Sequence, residues 1–267
     1  MIQRLLPFLT LILLFILLSI LSPNAFLTER NLSTVVPQTA VINIIALGMT
    51  LIIITSGIDL SVGAILALAG FTGARIMETG ASIPVAVLGG ILTGLACGLI
   101  NGTLITQLKI NPFIVTLGML GVIRGTTLTV SKGLPASNLP DSFKYLGTGV
   151  VLGAPAVLWV LLVCAVAMHF VLERTRLGRY AFSIGSNPDA AYYAGVPVSF
   201  HLIWVYGIAG LLTGIAAMIE TSRLMTGQPT AGQGYELQAI AAVVIGGGSL
   251  RGGEGSVIGT LIGGFIM

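Results

Sequence analysis

Three polar residues stand where the chain is otherwise apolar. Asp59 lies in TSGIDLSVG (55–63), a polar interruption between two apolar runs. Gly57 permits a turn there, and Asp59 stands just before the next run. A carboxylate so placed can accept hydrogen bonds from free backbone N–H groups and meet the positive end of a helix. It reads either as a helix cap or as a gate or ligand contact near a membrane. Arg124 sits about seven residues, roughly 10 Å, from the end of its apolar run. It can snorkel outward or face a polar cavity. Asn101 is a neutral polar group inside a run. Asp59, Asn101 and Arg124 are the candidates for a translocation path or gate. Glu220 and Arg223, three apart, can pair with each other. His169 and His201 fall at the edges of runs, where packing accounts for them.

Signatures of bond-making chemistry are missing. The sequence holds no HExxH, no GxSxG and no nucleophile beside a credible base. The segment GGGSLRGGEG (246–255) is rich in glycine but lacks the Gly-Lys-Ser/Thr of a phosphate cradle, and reads as a tight turn. Cys97 and Cys164 each fall inside an apolar run, without the clustered His or carboxylates of a metal site. No catalytic residue, cofactor site or metal site is expected.

The elements that must position these residues are membrane helices. Of 267 residues 55% are hydrophobic and only 8% charged, against roughly 25% charge in a soluble domain. Mean hydropathy is +1.02. The expected fold is all-α, a polytopic transmembrane bundle forming one domain over 1–267. Apolar runs long enough to span occur near 5–21, 38–55, 61–77, 84–106, 113–131, 154–172 and 200–221. A shorter run at 237–248 reads as a half-span or broken helix. A ninth begins near 256 and runs off the end at Met267, as if the chain stopped inside a span. The first run resembles a signal sequence but is longer, and reads as an uncleaved span. The net charge of +3 is scattered and does not suggest a nucleic-acid partner.

With the N-terminus in the cytoplasm, the inner loops carry Arg4, Lys109, Arg174, Arg176, Arg179 and Arg251, and the outer ends Arg30, Arg75, Lys132, Lys144 and Arg223. The orientation rests mainly on the arginines after the sixth run. Gly90, Gly94, Gly98 and Gly102 recur every four residues, as do Gly210 and Gly214, and Gly259 and Gly263. Each series lays a bare groove along a helix, for static packing or a mobile seam. Leu47-Gly48-Met49 and Leu117-Gly118-Met119 form a faint internal echo.

The largest polar island is ERTRLGRYAFSIGSNPDAAYYAGVPVS (173–199), which holds five of the 21 charges. Such charges must sit in water. A loop of this size between spans is large enough to dock a partner protein.

Five segments occur in order: LSPNAF (21–26), LGMTLIIITSGIDLSVGAILALAG (47–70), NPFIVTLGMLGVIRG (111–125), TRLGRYAFSIGSNPDAAYYAGV (175–196) and QPTAGQGYELQAIAAVVIGGGSLRGGEGSVIGTLIGG (228–264). With them the sequence resembles the permease subunits of bacterial ABC importers for ribose-like monosaccharides. The resemblance implies a fold of about ten spans, of which about nine are present here, the remainder lying beyond Met267. It also implies a bacterial inner-membrane location and a second permease copy. The partners would be cytoplasmic ATPase subunits that bind the ATP, a periplasmic sugar-binding protein, and lipid. The island would carry a coupling helix seated in the ATPase. Asn187 and Pro188 would start it, Asp189, Ala190, Ala191, Tyr192 and Tyr193 would form its body, and Gly195 and Pro197 would end it. Arg179 would belong to the same coupling surface. Gln238 departs from the Asp usual in the family. The competing reading is a self-sufficient secondary transporter or channel.

Overall fold

In a computed structural model, the backbone is described for residues 2–267. The side chains of 2–7, 29, 30, 32 and 33, including Arg4 and Arg30 of the charge count, lie outside the described residues. Every expected apolar run contains a helix. In chain order these are α1 (Ile2–Leu21) with the short α2 (Pro23–Phe26), α3 (Glu29–Ile54), α4 (Val62–Glu78), α5 (Ile83–Leu108) and α6 (Pro112–Ser131). After the loop helix α7 (Lys144–Thr148) come α8 (Ala156–Arg174), α9 (Arg176–Ser186), α10 (Pro188–Tyr193), α11 (Val198–Leu224), α12 (Tyr235–Ile245) and α13 (Val257–Ile266). Among the described residues, α3 (over Thr34–Ile54), α5, α6, α8 and α11 are long and apolar enough to cross a membrane. Shorter apolar helices lie at Phe8–Leu21, Tyr235–Ile245 and Val257–Ile266. The chain is a multi-pass, all-α membrane protein.

Helix α3 is the centre of the bundle. Ile44, Leu47, Met49, Leu51, Ile52, Ile53 and Ile54 on all its faces are wholly buried, as expected for a helix hydrophobic all round. Around it the outer helices turn leucines, valines and phenylalanines outward, such as Leu162, Val163, Val166 and Phe170 of α8. That is the pattern a hydrocarbon solvent favours.

The first two glycine series are two sides of one crossing. A side chain at Gly94 would strike the Gly210 carbonyl and Gly214, and one at Gly98 would strike the Tyr206 carbonyl. The backbones of α5 and α11 therefore touch directly, the close approach that small residues permit. The third series serves the α12–α13 hairpin, where Gly259 faces Gly246 and Gly263 faces Ala242. The two halves of the internal echo have different surroundings: Gly48 packs on Ala209, whereas a side chain at Gly118 would meet nothing within 4 Å.

Two spans are broken. Residues 55–61 leave α3 and rise into the bundle before α4 begins. Residues 225–234 leave α11 at the opposite end and descend beside α4: Gly227 lies against Gly70, Phe71 and Ala74, and Gly232 against Gly63. That descent covers roughly 12–16 Å at the rise of a helix. Helices α4 and α12 thus start side by side inside the bundle and run in opposite directions. Irregular backbone at such depth persists only where protein buries it or water reaches it.

Two segments between the spans are more ordered than their composition suggests. The island is mostly helical, as α9 and α10. Segment 132–153 contains a 3-10 turn (Asp141–Phe143), α7 and one strand of a two-stranded antiparallel ribbon, β1 (Val150–Val151) with β2 (Ala154–Pro155).

Candidate functional site

The broken span at 55–61 is tied down residue by residue. Ser56, not Gly57, takes the left-handed conformation, with φ 61°. Gly57 is needed because a side chain there would come 2.6 Å from the Tyr206 hydroxyl. Asp59 is 1% exposed. Its Oδ1 accepts the Ser61 N–H at 2.8 Å and the Ser61 hydroxyl at 2.6 Å. Asn101, from α5, donates Nδ2 to Ser61 Oγ at 2.8 Å, with Asp59 Oδ2 at 3.4 Å. Thr116, from α6, donates to the Ile58 carbonyl at 3.1 Å. Asp59 does not cap the helix N–H groups of α4; it binds Ser61, the residue before the helix. Asp59 and Asn101 are thus brought into one buried cluster joining 55–61, α5 and α6. Among the described residues, Asn101 Oδ1 and the Tyr206 hydroxyl are buried without a protein partner, as are Nδ2 and Oδ1 of Asn43 in α3.

Arg124 lies elsewhere, beside the other broken span. Its Nη1 donates to the Pro229 carbonyl at 2.9 Å and the Ala231 carbonyl at 2.8 Å. It does not snorkel outward: half-buried, it satisfies two carbonyls that the non-helical backbone leaves free. Glu236, close enough to interact with it electrostatically, accepts the Gly234 N–H at 3.2 Å in the first turn of α12. Glu220 and Arg223 pair as expected, at 2.9 Å, and Tyr235 donates to Glu220 at 3.2 Å. His201 is packed between Tyr180 and Phe200, with Nδ1 at 2.9 Å from the Pro197 carbonyl.

The island is built as a rigid base carrying a short exposed helix. Thr175 caps α9 through the Gly178 N–H. The small residues Gly178, Ala181 and Gly185 face inward while Arg179 is exposed. Asn187 caps α10, its side chain accepting the Ala190 N–H at 2.9 Å, with Pro188 in the first turn, a position where its missing N–H costs nothing. Gly195, at φ 85°, ends the helix, and Val196 N–H returns to the Ala191 carbonyl at 3.0 Å. Ala191 is buried beside Ile184 and Val196. Asp189 and Ala190 are exposed, Tyr192 is 67% exposed and Tyr193 86%.

Three polar segments meet under this base. Gly253 N–H donates to the Ile54 carbonyl at 2.9 Å. The Ser56 hydroxyl donates to the Arg251 carbonyl at 2.8 Å, with the Gly185 carbonyl at 3.2 Å. The island, the 55–61 break and the glycine-rich 246–255 turn therefore share one end of the bundle. At the opposite end Ser137 N–H reaches Glu78, and Ala136 pairs with Gly227. This alternation of ends is what the expected span order requires.

Residues 31–267 match the family described as the branched-chain amino acid transport system / permease component. The chain belongs to this permease family. It is 43% identical over 261 residues to the ribose import permease protein RbsC of Escherichia coli K12, covering 96% of this chain and 81% of that protein. It is 44% identical over 263 residues to RbsC of Bacillus subtilis 168, covering 98% and 81%. The D-allose transport system permease protein AlsC of E. coli K12 is 39% identical over 248 residues, covering 92% and 76%. No solved structure matches. The relatives are transport permeases, not enzymes.

Several contributors were not singled out in the sequence: Ser61, Thr116, Tyr206, Glu236 and the Gly63–Gly232 contact. A signal did exist for the last two. QPTAGQGYE places Pro229, Gly232 and Gly234 just ahead of a short apolar run, and interrupted hydrophobic segments mark transporter sites.

Proposed function

We propose that this chain is the transmembrane subunit of an ATP-driven importer for a ribose-like monosaccharide. It works as one of two copies in a bacterial inner membrane, with its N-terminus in the cytoplasm. A cytoplasmic ATPase binds and hydrolyses the ATP, and a periplasmic binding protein delivers the sugar. The observation that carries the reading is α10. Its exposed tyrosines stand on a base that packs at Gly185 against the Ile54 carbonyl of the central helix and Gly253 of the turn after the second broken span, and that accepts a hydrogen bond from Ser56, as a lever should be.

The coupling residues are Asn187, Pro188, Asp189, Ala190, Ala191 and Gly195, with Arg179 on the adjoining exposed face of α9. Closure of the ATPase dimer pushes α10. The push passes through Gly185 to Ile54 and through Ser56 to Arg251, so α3 and the α12–α13 hairpin move together. Asp59, Asn101 and Arg124 form the gate framework: the first two hold one broken span and the third holds the other. Alternating access then arises by rocking these spans about the α5–α11 crossing. The test is purification of the tagged protein from its own host in mild detergent, followed by uptake in sealed vesicles. A stoichiometric P-loop ATPase and ATP-dependent sugar uptake are expected. Uptake by the chain alone without ATP would establish a secondary transporter instead.

A further inference from the structure

The broken span 225–245 presents a polar face that hydrocarbon cannot cover. Gln228, Thr230, Gln233 and Gln238 are all exposed, on the segment whose Gly232 packs against the first turn of α4 deep in the bundle. Gln228 donates Nε2 to Thr230 Oγ1 at 3.4 Å within the face itself; side-chain amides left unpaired in hydrocarbon cost several kcal/mol each. The charges nearby are already engaged. Arg124 holds the Pro229 and Ala231 carbonyls, and Glu236 holds the Gly234 N–H. The face itself therefore offers amide and hydroxyl donors and acceptors, while the two nearby charges are held by backbone groups. Beside it, side chains at Gly121 and Gly125 of α6 would meet nothing within 4 Å, so the neighbouring helix leaves room. Leu237, next to Gln238 in sequence, is 65% exposed.

We infer that Gln228, Thr230, Gln233 and Gln238 line a water-filled passage and bind a neutral, polyhydroxylated solute in transit. An amide pairs a donor with an acceptor, as each hydroxyl of such a solute does, and Leu237 suits the C–H face of a ring. The solute class rests on the importer reading; the water-filled passage does not.

The experiment places a single cysteine at 228, 230, 233 or 238 in the full permease–ATPase complex in vesicles. Cys97 and Cys164 are buried and give little background. A membrane-impermeant maleimide is expected to label these positions, and ribose supplied with its binding protein and ATP to slow the labelling several-fold. Gln233→Leu and Gln238→Leu, in complexes assembled to the wild-type amount, are expected to raise KM for uptake several-fold. Labelling only by a lipid-soluble maleimide would overturn the inference, as would closure of the face by a disulfide between two permease copies. If the wild-type complex moves no sugar under ATP, the importer reading fails instead, while water access at the four positions is still decided by the labelling.

Discussion

Gly185 of α9 packs so closely on the Ile54 carbonyl that no side chain fits between them. The polar island is thereby locked to the end of the central helix α3. A lever that must transmit a push benefits from contact through backbone, which cannot change rotamer. Gly185→Val is expected to separate α9 from α3. Vesicle uptake should fall at least tenfold, by about 1.4 kcal/mol or more of coupling, while ATPase still copurifies. Uptake at the wild-type rate would show that α9 moves independently of α3.

The two alanines of α10 should behave differently. Ala190 is exposed and Ala191 buried. Ala190→Asp and Tyr193→Ala should leave the loop folded and weaken ATPase copurification. Ala191→Asp buries an unpaired charge, a change that ranks among the most destabilising, and should open the loop to protease. Equal protease resistance in both aspartate variants would count against the packing described for Ala191.

Glycines at the α5–α11 crossing are expected to be intolerant where those of α6 are not. Gly94→Val forces two backbones apart and should cost about 3 kcal/mol or more, seen as a lower melting temperature in detergent. Gly121→Ala meets open space and gains up to about 1 kcal/mol of helix propensity. A crossing that tolerates valine at 94 would have to be looser than the distances show.

Arg124 supplies two charge-assisted hydrogen bonds to carbonyls of the descending segment. Arg124→Gln should lose most of that, at about 1.5–3 kcal/mol for each bond. Arg124→Lys should recover part of it, because an ammonium keeps the charge and the donors on a more flexible stem. The measurement is thermal stability together with protease cleavage near 229–231. Equal cleavage in wild type and Arg124→Gln would dissociate Arg124 from the segment.

Asp59→Asn keeps an oxygen for the Ser61 N–H and hydroxyl, so it should fold. Asp59→Ala leaves those groups and Asn101 short of an acceptor, at about 1–3 kcal/mol for each unsatisfied group. If the two variants melt together, the cluster does not hold the break in place.

The spans were legible in the sequence because apolarity is a local property: each expected run, from 5–21 to the half-length run at 237–248, contains a helix. The bounds of α10 came from the family resemblance, and local chemistry explains them, since Asn187, Pro188 and Gly195 act on their own backbone. Helix α9 was not expected from composition, because its glycines and arginines disfavour a run-based reading although they segregate to opposite faces. The partners of Asp59 were also hidden. Asn101 and Thr116 reach it from other helices, and nothing near Asp59 in the sequence announces them. The outward-snorkelling reading of Arg124 failed for the same reason, since the carbonyls it satisfies belong to a segment far along the chain.

Helix α12 has 11 residues, about 16 Å, half the thickness of a bilayer core of roughly 30 Å. During biosynthesis it emerges long after α3 and α4, the earlier helices that receive it. Such a stretch is too short to be retained by hydrophobicity alone, and Gln228, Thr230 and Gln233 weaken it further. Residues 225–245 must therefore enter the membrane as passengers between α11 and α13 and settle only once the earlier helices are in place. Completion of the protein is then a post-insertion docking event. A ribosome stalled before α13 would display an unfinished segment that membrane quality control can distinguish from the mature fold.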